Sequence, residues 1–314
     1  MHELLTQWSS TGIAIAIYVV VSCLHLNQVR SRLRHGGRLG PASRTGGRQG
    51  SGWPRDELAA AALFQAGLLT ALLALIPPIG YVSSQFIWVR AIQDLLLCFA
   101  APVLIASGIR GHAAGRPAQG KFSRAVANSL FASPQQPVSD GIALDTAWSR
   151  ASPVAAAVAF NLSCIVWHVP AFFDAVPANG AARFAEYAVY LGTGIWFWLQ
   201  IIRPHLGPWQ SPLRRLVLLT GTLAAWTVVG MVLVFGWNVI YPAYANSLHH
   251  AMTVLDDQQL SGGVLWMGMT PFLITAGVIL LTAWLNEEDS RSHTDAAAPT
   301  RKRAWGWAAR SGLR

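Results

Sequence analysis

Long apolar runs alternate along this chain with short polar segments, and each run is about the length of one bilayer crossing. A helix needs ~20 mainly apolar residues to span the hydrocarbon core. Seven stretches meet that requirement: 9–27, 57–77, 84–106, 151–171, 181–202, 216–236 and 262–285. The pattern predicts an all-α, polytopic integral membrane protein with seven transmembrane helices in one membrane domain, residues 1–286. It shows no internal repeat and no separate soluble domain. Segment 28–56, rich in Gly, Ser and Arg, reads as a flexible loop. The tail, 287–314, starts with Glu287, Glu288 and Asp289 and ends basic, with Arg301, Lys302 and Arg303. It reads as cytoplasmic and either disordered or associated with the membrane surface.

Charge orients the predicted spans. Segment 28–56 holds seven arginines, 107–150 five basic residues, 203–215 three and 286–314 six. Segments 78–83, 172–180 and 237–261 hold none. Basic loops stay on the cytoplasmic side, so the N-terminus is expected outside and the C-terminus inside, which an odd number of spans allows. The first span has no basic residue ahead of it and Arg30, Arg32, Arg34 and Arg38 behind it, the reverse of a signal peptide. Net charge is +9, with 53% of residues hydrophobic and only 12% charged. A soluble domain carries about a quarter charged residues. The basic excess lies in loops between apolar runs and forms no nucleic-acid-binding motif. Cys23, Cys98 and Cys164 lie in apolar stretches, an odd number that does not suggest a disulfide framework.

Only Arg90 and Arg183 place positive charge inside predicted spans, and intramembrane ionisable residues are costly and commonly functional. With the expected topology, Arg90, Gln93 and Asp94 fall near the outer end of the third span. Arg183 and Glu186 fall near the outer end of the fifth. Trp167 and His168 end the fourth, and Asp257 and Gln258 precede the seventh. The helical spacings Arg90–Asp94, Arg183–Glu186 and Cys164–His168 each put a pair on one face. Two readings of this polar layer are open. In one, Arg90–Asp94 and Arg183–Glu186 are ion pairs that neutralise buried charge and lock helices together. In the other, the layer binds a partner's polar group or a metal ion, with His168, Asp94, Glu186 and Asp257 as nitrogen and oxygen ligands. His249 and His250 are adjacent and point different ways on a helix, so they form a weak metal pair. Met252, Met267 and Met269 are possible soft copper ligands but also ordinary packing residues. No G-x-S-x-G, Walker A, H-E-x-x-H or C-x-x-C motif is present, and the chain is expected not to be an enzyme.

Three segments resemble the CtaG-type cytochrome c oxidase assembly proteins of the bacterial inner membrane. RAIQDLLLCFAAPVLIASG is similar to a family segment that begins H-M-x-Q-H. WHVPAFFDAVPANGAARFAEYAVYLGTGIWFW is similar to W-H-x-P-x-x-x-D-A followed by H-x-L-E/Q-H. DQQLSGGVLWMGM is similar to D-Q-Q-L-x-G-x-x-x-W. The resemblance covers about residues 57–286. Gln93, Trp167, His168, Pro170, Asp174, Glu186, Asp257, Gln258, Gly262 and Trp266 match. Arg90, Asp94, Arg183 and Tyr187 stand where the family has paired histidines.

The resemblance implies a non-enzymatic assembly factor for a haem–copper oxidase, with an oxidase subunit as partner and a link to copper insertion. Since guanidinium cannot donate to a metal, the four departures imply that ion pairs replace a metal site. The alternative reading is a small-solute or copper-handling transporter that uses the same polar cluster.

Overall fold

A computed structural model describes residues 2–36, 53–109, 143–202, 212–245 and 252–308. Most of the two long basic loops, His249 and His250 and the last residues of the tail lie outside the described residues. The described residues are helical, with no strand among them. Helix α1 is His2–Gly36, α2 Trp53–Leu75, α3 Pro77–Ser83, α4 Ile87–Leu95 and α5 Ala101–Gly108. Then follow α6 Ala143–Trp167, α7 Pro170–Phe173, α8 Ala175–Ala178, α9 Gly180–Ile202, α10 Pro212–Val234 and α11 Val254–Ala308.

Each of the seven expected spans coincides with a helix, but they are not equally apolar. Five are long and apolar enough to cross a membrane, in α1, α2, the α4–α5 run, α10 and α11. A sixth qualifies if α6 and the α7–α8 segment, bent by 75° at the break, are taken as one broken span. Helix α9 is not among them, because Arg183 and Glu186 and its small and polar residues dilute its hydropathy. The Pro77-Pro78 segment forms the short helix α3 with proline in its first positions, where the missing N–H costs nothing. Residues 287–308, expected as a disordered or surface-bound tail, instead continue α11. At 55 residues α11 is about 80 Å long, far beyond the ~30 Å hydrocarbon core.

Caps are placed where the sequence supplies them. Asn179 Oδ1 accepts from the Ala181 and Ala182 amides at the start of α9. Thr253 and Asp256 bond reciprocally at the start of α11, Thr253 Oγ1 accepting from the Asp256 amide (3.1 Å) and the Thr253 amide donating to Asp256 Oδ2 (3.2 Å), a capping box.

The third span is interrupted. Leu96–Ala100, between α4 and α5, winds as a wider π-turn. Pro102 lacks the N–H that would bond the Cys98 carbonyl four residues back. Trp198 Nε1 of α9 donates to that carbonyl instead (3.2 Å), tying the irregular turn to a neighbouring helix.

The core between the helices is aromatic. Phe160 stacks on Phe197 (4.9 Å, 8°), and Phe99 meets Trp226 edge-on (4.9 Å, 78°). Helices α10 and α11 approach most closely at two glycines: a Cβ on Gly262 would lie 2.6 Å from the Gly230 carbonyl oxygen. Helix α1 is peripheral and packs mainly on α2. Two contacts fasten it: Ser22 Oγ donates to Gln65 Oε1 (2.9 Å), and the His25 ring stacks on Phe64 (4.0 Å).

Candidate functional site

At one end of the bundle the start of α4, the end of α6, the start of α9 and the start of α11 come together, as the topology predicts. Arg90, Gln93, Asp94, His168, Glu186, Asp257 and Gln258 are all buried there. Arg183 is half-buried. Trp167, also half-buried, packs edge-on against Phe172.

Arg90 is the hub. Its Nη2 donates to Glu186 Oε1 at 2.5 Å. Its Nη1 donates to the Phe173 carbonyl (2.7 Å) and to the Tyr244 hydroxyl (3.3 Å). Its guanidinium lies 3.5 Å from the centre of the Phe173 ring, which adds a cation–π attraction. Tyr244 in turn donates to the Ser83 carbonyl (3.2 Å). Tyr244 lies outside the membrane-spanning segments, and burial raises its phenol pKa, so the hydroxyl stays neutral and able to donate.

The partners differ from those that helical spacing suggests. Arg90 pairs across helices with Glu186, not along its own helix with Asp94, whose Oδ1 has no hydrogen-bond partner among the protein groups. Arg183 does not hydrogen-bond Glu186 either. Its Nη2 donates to the carbonyls of Pro177 (2.9 Å) and Val176 (3.4 Å) at the end of α8. Both expected pairs have the base N-terminal to the acid, the weaker order on a helix. Side chains also lean toward the helix N-terminus, which carries Arg90 away from Asp94 and toward Phe173 and Glu186.

The Asp-Gln-Gln segment is a clasp. Asp257 accepts from two amides at the start of α4, Ile87 N to Oδ2 (2.8 Å) and Trp88 N to Oδ1 (2.9 Å). The residue preceding α4 is Phe86, which has no capping group, so a carboxylate from the last helix caps α4 from outside. That site also favours negative charge through the helix dipole. Gln258 accepts from the Ile240 amide (2.7 Å) and donates to the Asn238 carbonyl (3.2 Å). Gln259 donates to the Gly236 carbonyl (3.1 Å). Gln93 ties α2 and α9 to α4 by donating to the Ala74 carbonyl and to Tyr187 Oη (2.8 Å).

His168 closes α6. Its Nδ1 lies 2.9 Å from the Cys164 carbonyl, which it meets as a donor in the Nδ1–H tautomer, and its own carbonyl accepts from Tyr241 Oη (3.0 Å). His168 and Asp94 border one small recess with Phe173 and Ser261. Glu186 borders another with Arg90 and Arg183. Among the described residues no group of three His, Cys, Asp or Glu side chains is placed to hold a metal ion, so His168, Asp94 and Glu186 are not drawn into one ligand set. Met269 is buried in the core while Met267 is 75% exposed, so these two do not face one centre.

Sequence reading missed Phe173 and Tyr244, both direct partners of Arg90. The available signal was the number of aromatics in the two outer segments, which interfacial anchoring also explains. It also missed the Ser22–Gln65 contact, which periodicity alone does not single out.

The model of the family described as cytochrome c oxidase caa3 assembly factor (Caa3_CtaG) matches residues 38–287. That range takes in α2 through the membrane part of α11, with every residue of the polar layer, and leaves out α1. Comparisons with curated proteins and with solved structures give no match. The chain belongs to the cytochrome c oxidase caa3 assembly factor family.

Proposed function

We propose that the protein is a non-enzymatic membrane assembly factor for a haem–copper cytochrome c oxidase, acting in the bacterial inner membrane on an oxidase subunit. The observation that carries this reading is the family match across 38–287. In the proposal the polar layer is a scaffold near the outer face that fixes the relative positions of α4, α6, α9 and α11 and so shapes the surface a partner meets.

Copper as cargo does not fit the donor set. A guanidinium that cannot ligate a metal sits at the hub, one oxygen of Glu186 is bonded to it, and both carboxylate oxygens of Asp257 are engaged by the α4 amides. The assembly role therefore runs through protein contact, without copper held in this layer.

Two measurements test the proposal. Deletion of the gene should lower the amount of assembled oxidase, read from haem absorbance in membranes, and the native chain should restore it. Unchanged oxidase in the deletion strain rejects the assembly role. Protein purified in mild detergent from copper-supplemented cells should carry no stoichiometric copper, with or without His168→Ala/Asp94→Ala. Copper present in the native chain and lost in the variant rejects the metal-free layer.

A further inference from the structure

Arg183 uses only part of its guanidinium within the protein. Both of its hydrogen bonds leave from Nη2, to the carbonyls of Pro177 (2.9 Å) and Val176 (3.4 Å). Nη1 and Nε donate to no group among the described residues. The side chain is half-buried and borders a shallow, outward-opening recess together with Arg90, Glu186, Ser83 and Ser84. Two arginines against one carboxylate leave this recess with a single positive charge in excess. Arg90 is 2% exposed and already bonded to Glu186, so Arg183 carries the excess to the surface. Segments 78–83, 172–180 and 237–261, at the same end of the bundle, hold no basic residue.

The surroundings indicate which anion the recess suits. Tyr81 and Val82, just before the two serines, and Phe184, next to Arg183, are exposed. They stand where the third and fifth predicted spans begin, at the level where acyl chains give way to headgroups. We propose that Arg183 and the mouth of this recess bind the phosphate of an outer-leaflet phospholipid. Nη1 and Nε donate to the phosphate oxygens in charge-assisted hydrogen bonds. The singly charged phosphodiester neutralises the excess, and the acyl chains lie against the exposed apolar side chains. The phosphate rests across the mouth, because the recess is too shallow to enclose it. A free arginine stem reaches toward headgroups in many orientations. Here the α8 carbonyls already fix the guanidinium, so less side-chain freedom is lost on binding.

The test titrates the full chain, stripped of lipid in a mild neutral detergent, with three probes. These are dioctanoyl phosphatidylglycerol, dioctanoylglycerol, which has the same chains without phosphate, and inorganic phosphate. Native mass spectrometry should count one more phosphatidylglycerol on the native chain than on Arg183→Gln at matched concentration. Lipid on the basic loops of the other face is common to both chains and cancels. Equal counts on the two chains, or the same difference with dioctanoylglycerol, overturn the proposal. Inorganic phosphate that displaces this lipid at equal concentration overturns the lipid as the source of the phosphate. Because Arg183→Gln also loses the bonds to α8, a second arm keeps the side chain. Electron cryomicroscopy of the native chain in nanodiscs of phosphatidylglycerol and phosphatidylethanolamine should show phosphate density within hydrogen-bond distance of Arg183 Nη1 or Nε. No density at that position overturns the proposal.

Discussion

Arg90 is buried with acceptors from three separate parts of the chain, Glu186, Phe173 and Tyr244. Removing the one charged acceptor leaves a cation in the bilayer without compensation. Breaking a buried pair from one side costs about 3–5 kcal/mol. Glu186→Gln is therefore expected to lower the thermal unfolding midpoint of the detergent-solubilised protein clearly. Arg90→Lys should not rescue the layer, because an ammonium lacks the planar fork that serves several acceptors at once. The double variant Arg90→Met/Glu186→Met should lose less stability than the two single variants summed, since a paired removal leaves neither charge stranded. A double variant as unstable as that sum would show that the pair is not the unit. At Asp257 the expected loss is that of a helix cap, about 1–2 kcal/mol for Asp257→Ala. Asp257→Asn, which keeps one acceptor oxygen, should recover part of it. The check is hydrogen exchange at the Ile87 and Trp88 amides, which should speed up in the alanine variant ahead of global unfolding.

At the scale of elements, the π-turn at Leu96–Ala100 depends on Trp198. Trp198→Phe keeps the packing area but removes the donor to the Cys98 carbonyl, and an unpaired buried backbone group costs about 1–3 kcal/mol. Differential scanning fluorimetry should register that loss; an unchanged midpoint would mean that the turn needs no external donor. This element also marks the limit of sequence reading. The apolar run 84–106 indicates a helix, and Pro102 indicates a missing bond, but nothing local names Trp198, 100 residues from Cys98, as the replacement donor. The same limit applies to Arg90. Spacing shows that Arg90 and Asp94 share a face, and topology correctly brings Arg90 and Glu186 to one level. The choice between those acids depends on side-chain lean and on the position of Phe173, which are tertiary facts. Helix α11 shows a different limit: composition read 287–314 as disordered or associated with the membrane surface, and the backbone of 287–308 continues as helix to Ala308.

For the molecule as a whole, the charge pattern and the helices agree on where chain segments run but not on how many cross by hydropathy alone. We predict that α9 does cross, because Glu186 is paired with Arg90 and Arg183 is bonded to the α8 carbonyls. Alkaline phosphatase fused within 237–261 should be active, and fused within 203–215 it should be inactive. Activity within 203–215 together with inactivity within 237–261 would remove α9 as a crossing and reverse the proposed orientation beyond it.

The carboxylate that caps α4 comes from a residue 170 positions later in the chain. Membrane proteins are made from the N-terminus onward, so α4 enters the bilayer long before Asp257 exists. Until α11 arrives, the first amides of α4 have no cap, although Phe173, Glu186 and Tyr244, the partners of Arg90, are already made. The buried layer is therefore a record of completed synthesis: a chain that stops short of Val254 can hold its first helices in the membrane, yet it cannot finish the surface they share.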